Sequence, residues 1–182
     1  MNELGSTVLS AWQSFYVIVG SSAAALIGMQ FIVVTLLANQ RRPPTEETVS
    51  AFGTPTVVHL ASALLVSSIM SLPWPSLFPM TITLALCGLS GVGYGVVVIR
   101  RARRQTYYQP ERADWLWYAL FPCSTYAALM VAALLLRATC LISLFAIAAA
   151  ALGLLLIAIH NAWDTVTHIV VVRLHEDAGD PE

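Results

Sequence analysis

Apolar and polar residues are arranged along this chain in blocks. Five blocks are almost free of charge, at about 15–38, 55–72, 79–99, 115–136 and 138–160. Each holds about 20 residues, enough for a helix to cross a hydrocarbon core of about 30 Å. In lipid every backbone N–H and C=O must be bonded within its own segment, so these blocks predict helices. The blocks end where that logic requires. The first stops at Arg41-Arg42-Pro43-Pro44, and the second at Pro73-Trp74-Pro75, where proline removes a donor and breaks the helix. The third runs into Arg100-Arg101-Ala102-Arg103-Arg104 and is the one that a re-entrant segment would also fit. A very short turn at Arg137 separates the fourth from the fifth.

The predicted fold class is therefore all-α: a polytopic membrane bundle of five transmembrane helices, forming one domain over residues 1–174 with an acidic tail at 175–182. Arg-rich flanks belong in the cytoplasm. That rule places Arg41, Arg42 and Arg100 to Arg112 inside and Pro73 to Pro79 outside, giving an outside N-terminus and an inside C-terminus. Arg137 then stands outside, against the rule. Trp12, Trp74, Trp115, Trp117, Tyr107 and Tyr108 fall at the expected boundaries, as interfacial aromatic belts do. Met1 to Trp12 lacks the basic region of a cleavable signal, so the first block is expected to stay in the membrane. If the fifth helix continues to Val172 it is 35 residues, or about 52 Å, long. Its last apolar turn, Ile169 to Val172, would need a packing partner, which points to a homo-oligomer.

Composition agrees with this reading. With 58% hydrophobic and 10% charged residues, the chain could not coat a soluble surface, for which about 25% charge is usual. All nine basic residues are arginines, grouped as short loop flanks, so nucleic acid is excluded as a partner. Cys87, Cys123 and Cys140 all lie in apolar blocks without metal-ligand spacing and read as small buried hydrophobes.

Candidate chemistry gathers at the predicted cytoplasmic edge. In His160-Asn161-Ala162-Trp163-Asp164-Thr165-Val166-Thr167-His168, the residues His160, Asp164 and His168 recur every fourth position and share one helix face. Ionisable groups at the end of an apolar span are costly unless paired or wetted. His59, one turn into the second block, and Asp114, opening the fourth, belong to the same edge. Three readings fit this set of His59, Asp114, His160, Asn161, Asp164 and His168. Interhelical hydrogen bonds would fix packing. An aspartate flanked by histidines would handle protons or ions near neutral pH. A metal would be shared by His160 and Asp164 or by Asp164 and His168, though the outer histidines stand about 12 Å apart along the axis. Asp114 also suits a plain helix N-terminus.

Two small-residue patterns read as helix packing. Gly20, Ala24 and Gly28 recur every fourth residue of the first block, where close backbone approach drives association in lipid. Gly91-Val92-Gly93-Tyr94-Gly95 matches four of the five positions of a potassium-filter loop, with Gly91 in place of threonine. It runs into arginines at the inner side, so Gly91 and Gly95 are assigned to packing. No nucleophile elbow, phosphate loop, HExxH or CxxC is present, so neither an enzyme nor a cofactor is expected.

The opening Trp12-x-x-Phe15 with Gly20, Ala23-Ala24-Ala25-Leu26, Gly28 and Phe31 resembles the first helix of small bacterial multipass proteins labelled modulators of the FtsH protease. The whole chain is similar to bacterial membrane proteins ending in an HNAWD-type helix, here His160 to Asp164. These resemblances imply a bacterial cytoplasmic-membrane protein. The expectation is a small oligomeric channel or transporter-like protein passing an ion or proton, with Asp164 selecting charge or accepting protons. Because five short helices leave little room inside one subunit, the conduit is expected between subunits. The alternative is a non-conducting regulatory or scaffold subunit bound to another membrane protein; a metal-binding protein is the third.

Overall fold

A computed structural model describes residues 9–38, 54–104 and 115–179. Within them lie α1 (Gln13–Ala38), α2 (Thr54–Ser71), α3 (Leu77–Arg104), α4 (Leu116–Leu135) and α5 (Cys140–Gly179). Five helices, one in each block, are long and apolar enough to cross a membrane. The third block is one continuous helix rather than a broken one. At the fifth, helix begins only at Cys140, after a turn over 136–139, and continues to Gly179, so that much of the expected acidic tail is helical.

The main packing joins α1 to α2, α2 to α5, α5 to α4 and α4 to α3, with a lighter contact between α2 and α3. The fifth helix thus wedges between the second and the fourth. Its buried residues Leu144, Ile147, Ala151, Leu154, Ala158 and Asn161 recur at steps of three and four, as one face of a helix requires. The other face is equally apolar and exposed, at Leu141, Ile142, Phe145, Leu156 and Ile159. Such an outward apolar coat fits lipid and would be a large liability in water.

Contacts fix the helix directions. Trp12, immediately before α1, meets Phe145 of α5, with ring centroids 4.7 Å apart, and Gly153 of α5 packs 3.5 Å from Thr125 of α4, measured from the position of a Cβ on the glycine. One end of the bundle therefore holds Trp12, the Ser71–Leu77 connection and the Arg137 turn. The other holds Thr54, Arg100, Leu116 and Asn161. The first of these ends is closed by Trp74, whose indole N–H donates to the Ile69 carbonyl at 2.7 Å and caps α2 where Pro73 and Pro75 stop it.

The α3–α4 seam depends on glycine. A Cβ at Gly88 would stand 2.7 Å from the Met130 nitrogen, one at Gly91 would enter the Tyr126 ring, and one at Gly95 would strike the Cys123 sulfur. Along α3 these positions are three and then four apart, and along α4 the partners step back by four and then three, so two antiparallel helices touch along a line. Gly93, on the opposite face, has nothing within 4 Å of such a Cβ.

The start of α4 is irregular for a local reason. Pro122 has no N–H to give to the carbonyl four residues back, at Tyr118. The preceding turn, Leu116–Leu120, is π-helical, and Phe121 N–H reaches five residues back to Leu116 O.

These contacts predict opposite outcomes for two neighbouring glycines. Gly91→Ala overpacks the seam and should destabilise the fold by about 1–3 kcal/mol. Gly93→Ala should be neutral or stabilising by up to about 1 kcal/mol, because it removes the helix cost of glycine without a clash. Unfolding by denaturant in detergent micelles measures both.

Candidate functional site

The polar groups at the Thr54–Leu116–Asn161 end form two separate constellations and one isolated side chain. The deepest begins at His59, 2% exposed on α2. Its Nδ1 lies 3.0 Å from the hydroxyl of Tyr126, which is itself fully buried on α4. That hydroxyl donates to Ser62 Oγ at 2.9 Å, and Ser62 Oγ donates to the Val58 carbonyl at 2.8 Å. These directions assign the tautomer. Ser62 spends its proton on a backbone carbonyl, and Tyr126 spends its own on Ser62. Neutral His59 therefore carries its proton on Nδ1, donating to Tyr126 Oη, and keeps the lone pair of Nε2. The Tyr94 ring stands edge-on to the imidazole, with centroids 6.4 Å apart.

The second constellation lies at the edge. The π turn of α4 presents two successive aromatics to α5. Trp117 stacks on the half-buried His160 with centroids 3.7 Å apart and planes inclined by 20°, and Phe121 meets Trp117 edge-on at 5.0 Å. Tyr118 donates its hydroxyl to Asp164 Oδ2 at 3.2 Å. Asp164 is exposed as well as bonded. No hydrogen bond joins His160 to Asp164; each is held by α4 instead.

A third polar group, Asn161, is fully buried, with neither Oδ1 nor Nδ2 bonded to a described residue. A buried amide with both ends unmet is unusual, because desolvation costs about 1–3 kcal/mol for each unmet group. Thr56, one turn before His59, is also buried and does have a partner. Tyr118 and Tyr126 are eight residues apart on α4, so the edge and the interior differ in depth by about 12 Å.

The six residues singled out in the sequence thus do not form one cluster. His59 belongs to the deep network, His160 and Asp164 to the edge, and Asn161 to neither. The His168 side chain and Asp114 lie outside the described residues. Among the described residues, no three His, Cys, Asp or Glu side chains come together in a way that could hold a metal ion. Of the first small-residue pattern, Gly20 is buried, and a Cβ there would lie 3.0 Å from Ser67 Cβ. Ala24 and Gly28 face outward, and nothing lies within 4 Å of a Cβ at Gly28.

Sequence reasoning missed Tyr126, Ser62 and Tyr118 and read Trp117 only as an interfacial belt residue. A signal existed for one of them: Tyr126 sits mid-block in an apolar helix, where a hydroxyl needs a partner.

The deep network should behave as one unit. Tyr126→Phe leaves the His59 Nδ1–H without an acceptor and should cost about 1–3 kcal/mol. Combined with His59→Leu it should cost less than the sum of the two single changes, a coupling of at least about 0.5 kcal/mol in a double-mutant cycle. Comparison of the chain with protein-family models, with curated proteins and with solved structures finds no match.

Proposed function

We propose that this protein is a small channel or transporter-like protein that passes an ion or proton across the bacterial cytoplasmic membrane as a homo-oligomer. The observation that carries the reading is the presence of polar groups at two depths of an otherwise apolar bundle, Asp164–Tyr118 at the edge and His59–Tyr126–Ser62 in the interior, with Asn161 buried and unmet. A polar side chain in a membrane interior is costly, and the usual return on that cost is a pathway or a relay. The arginines at the same end, from Arg100 onward, support a cytoplasmic position for Asp164 and Tyr118 by the positive-inside rule.

The residues take distinct roles. Asp164 supplies negative charge where water reaches the bundle, attracting cations or protons and passing them inward. Tyr118 orients that carboxylate, and Trp117 fixes the His160 ring beside it. Asn161 offers both an acceptor and two donors inside the wall. His59 is the titratable group at depth, oriented by Tyr126.

A second reading, a non-conducting scaffold subunit, draws on α1. Ala24 and Gly28 open a smooth outward groove, suited to close approach by a helix of another membrane protein. Co-purification from native membranes distinguishes it by recovering a reproducible partner.

Flux through reconstituted vesicles tests the leading reading. Wild type should conduct at least one small ion or protons above background. Asp164→Asn should lower the rate by about tenfold, the effect of losing about 1.4 kcal/mol of attraction at the mouth. If both proteins show background leakage for every ion tried, conduction is not the function.

A further inference from the structure

We propose that the outward face of α5 pairs with the same face of a second copy of this chain, through a seam of Ala149, Leu152, Leu156, Ile159, Trp163 and Val166. This rests on the homo-oligomer in the reading above and adds the surface that joins its subunits.

Position and spacing define the seam. All six residues are exposed, on the side of α5 opposite the Leu154–Ala158–Asn161 face that packs in the bundle. They follow each other at alternating steps of three and four, the seven-residue repeat with which two helices wind around each other. Through 149–159 lipid alone would accept such a face, so the weight falls on the stretch beyond. In the run from His160 to His168 the only large apolar residues are Trp163 and Val166, and both keep the spacing. Polar residues and Ala162 fill every other place. The sequence carries the same register on to Val170.

By that point α5 has left both the hydrocarbon and its own bundle. About 20 residues from Cys140 cross the core, which brings Ile159 to its edge. Gly153 faces Thr125, and nine residues further along each of these antiparallel helices α5 is at Ala162 while α4 is at its first residue, Leu116. The fifth helix then runs on to Gly179, about 25 Å further. Trp163 is 71% and Val166 36% exposed there. A valine facing water gains nothing over the threonines on either side of it, so its place on the seam points to an apolar partner.

Three features make that partner another copy. Copies that cross one membrane in the same sense hold their fifth helices parallel and at equal depth, so each seam residue meets its own equivalent across a twofold axis. Among the described helices, none of α1 to α4 reaches as far past this end as α5 does. The seam also carries no charge. His160 and Asp164 beside it are held by Trp117 and Tyr118 of α4, so pairing brings no like charges together. Towards the other end Trp12 lies edge-on against Phe145, so the chain's own N-terminal segment covers part of the stripe there and the seam begins at Ala149.

The experiment cross-links the full chain in reconstituted vesicles and in native membranes. Cys140, exposed at the start of α5, is first changed to serine. Cysteine is then placed on the seam, as Ile159→Cys or Val166→Cys, or on outward positions of α2 and α3, as Leu65→Cys or Leu86→Cys, and a mild oxidant is added. The seam variants should form a disulfide-linked dimer at least about tenfold faster than the other two, because a held pair has a far higher effective concentration than chance encounters. Val166→Glu and Val166→Lys, both beyond the hydrocarbon, should each weaken self-association by about tenfold, read by energy transfer between labelled copies. An equal mixture of the two should restore it, since position 166 meets position 166. Cross-linking no faster on the seam than at Leu65→Cys or Leu86→Cys, with no rescue on mixing, overturns the seam and leaves the homo-oligomer standing. Wild-type protein that stays monomeric in the bilayer removes both, while flux through the same vesicles judges conduction separately. Capture of a different membrane protein by Val166→Cys in native membranes overturns pairing between copies and favours the scaffold reading.

Discussion

The ring of Tyr126 lies where a side chain at Gly91 would otherwise be, and most of the bundle follows from that substitution of one residue's volume for another's. Without a side chain at Gly91, α3 and α4 approach to backbone contact, and the phenol is held flat between them. Held there, its hydroxyl meets His59 and Ser62 of α2 at 3.0 and 2.9 Å. Two interactions that would be weak separately thus support each other. Close packing in lipid gains dispersion energy but no hydrophobic drive, and a hydrogen bond there has no bulk water competing for its partners. Through Tyr126, three helices are tied at one depth.

A second constraint acts at the mouth. Pro122 withholds one backbone donor, and the helix answers with a π turn rather than a break. A π turn adds a residue to the coil, so side chains before it are rotated relative to those after it. The same helix therefore points Tyr126 at α2 and, about two turns earlier, Trp117 and Tyr118 at α5. One proline lets α4 serve two neighbours, the edge and the interior.

Much of the fold was legible because the bilayer simplifies the code. Length, absence of charge and the proline and arginine stops define five helices without any appeal to periodicity. Which faces turn inward was not legible. In α5 the residues Leu154 and Leu156 are alike in sequence, yet one is fully buried and the other 54% exposed. Hydrophobicity cannot separate core from lipid when both are apolar, so the packing order of the helices had to come from the structure. The site was legible by residue type and not by grouping. His59, His160 and Asp164 stood out as titratable groups in apolar surroundings, but one helix face does not tell which helix meets it. Asp164 stood out most and is the most exposed of the three; Tyr126, unremarked among leucines and alanines, is the group that holds His59. Hydroxyls hide well, because a serine or threonine can satisfy itself on its own helix, as Ser68 and Thr83 do.

That capacity for self-satisfaction gives the unmet hydroxyls their weight. Ser62, Ser68, Ser71 and Thr83 all bond a carbonyl three or four residues back, the cheapest arrangement for such side chains in lipid. Ser67 and Thr81 sit on the same two helices, in the same apolar medium, and make no such bond. Alanine or valine would fill their places at lower cost, since each unmet hydroxyl forfeits about 1–3 kcal/mol. Asn161 is more costly still, with three donor and acceptor functions turned into the protein. Groups that could be satisfied locally, or replaced by a methyl, and are neither, call for a partner outside the chain. Water is a partner of the right size and chemistry for each of them.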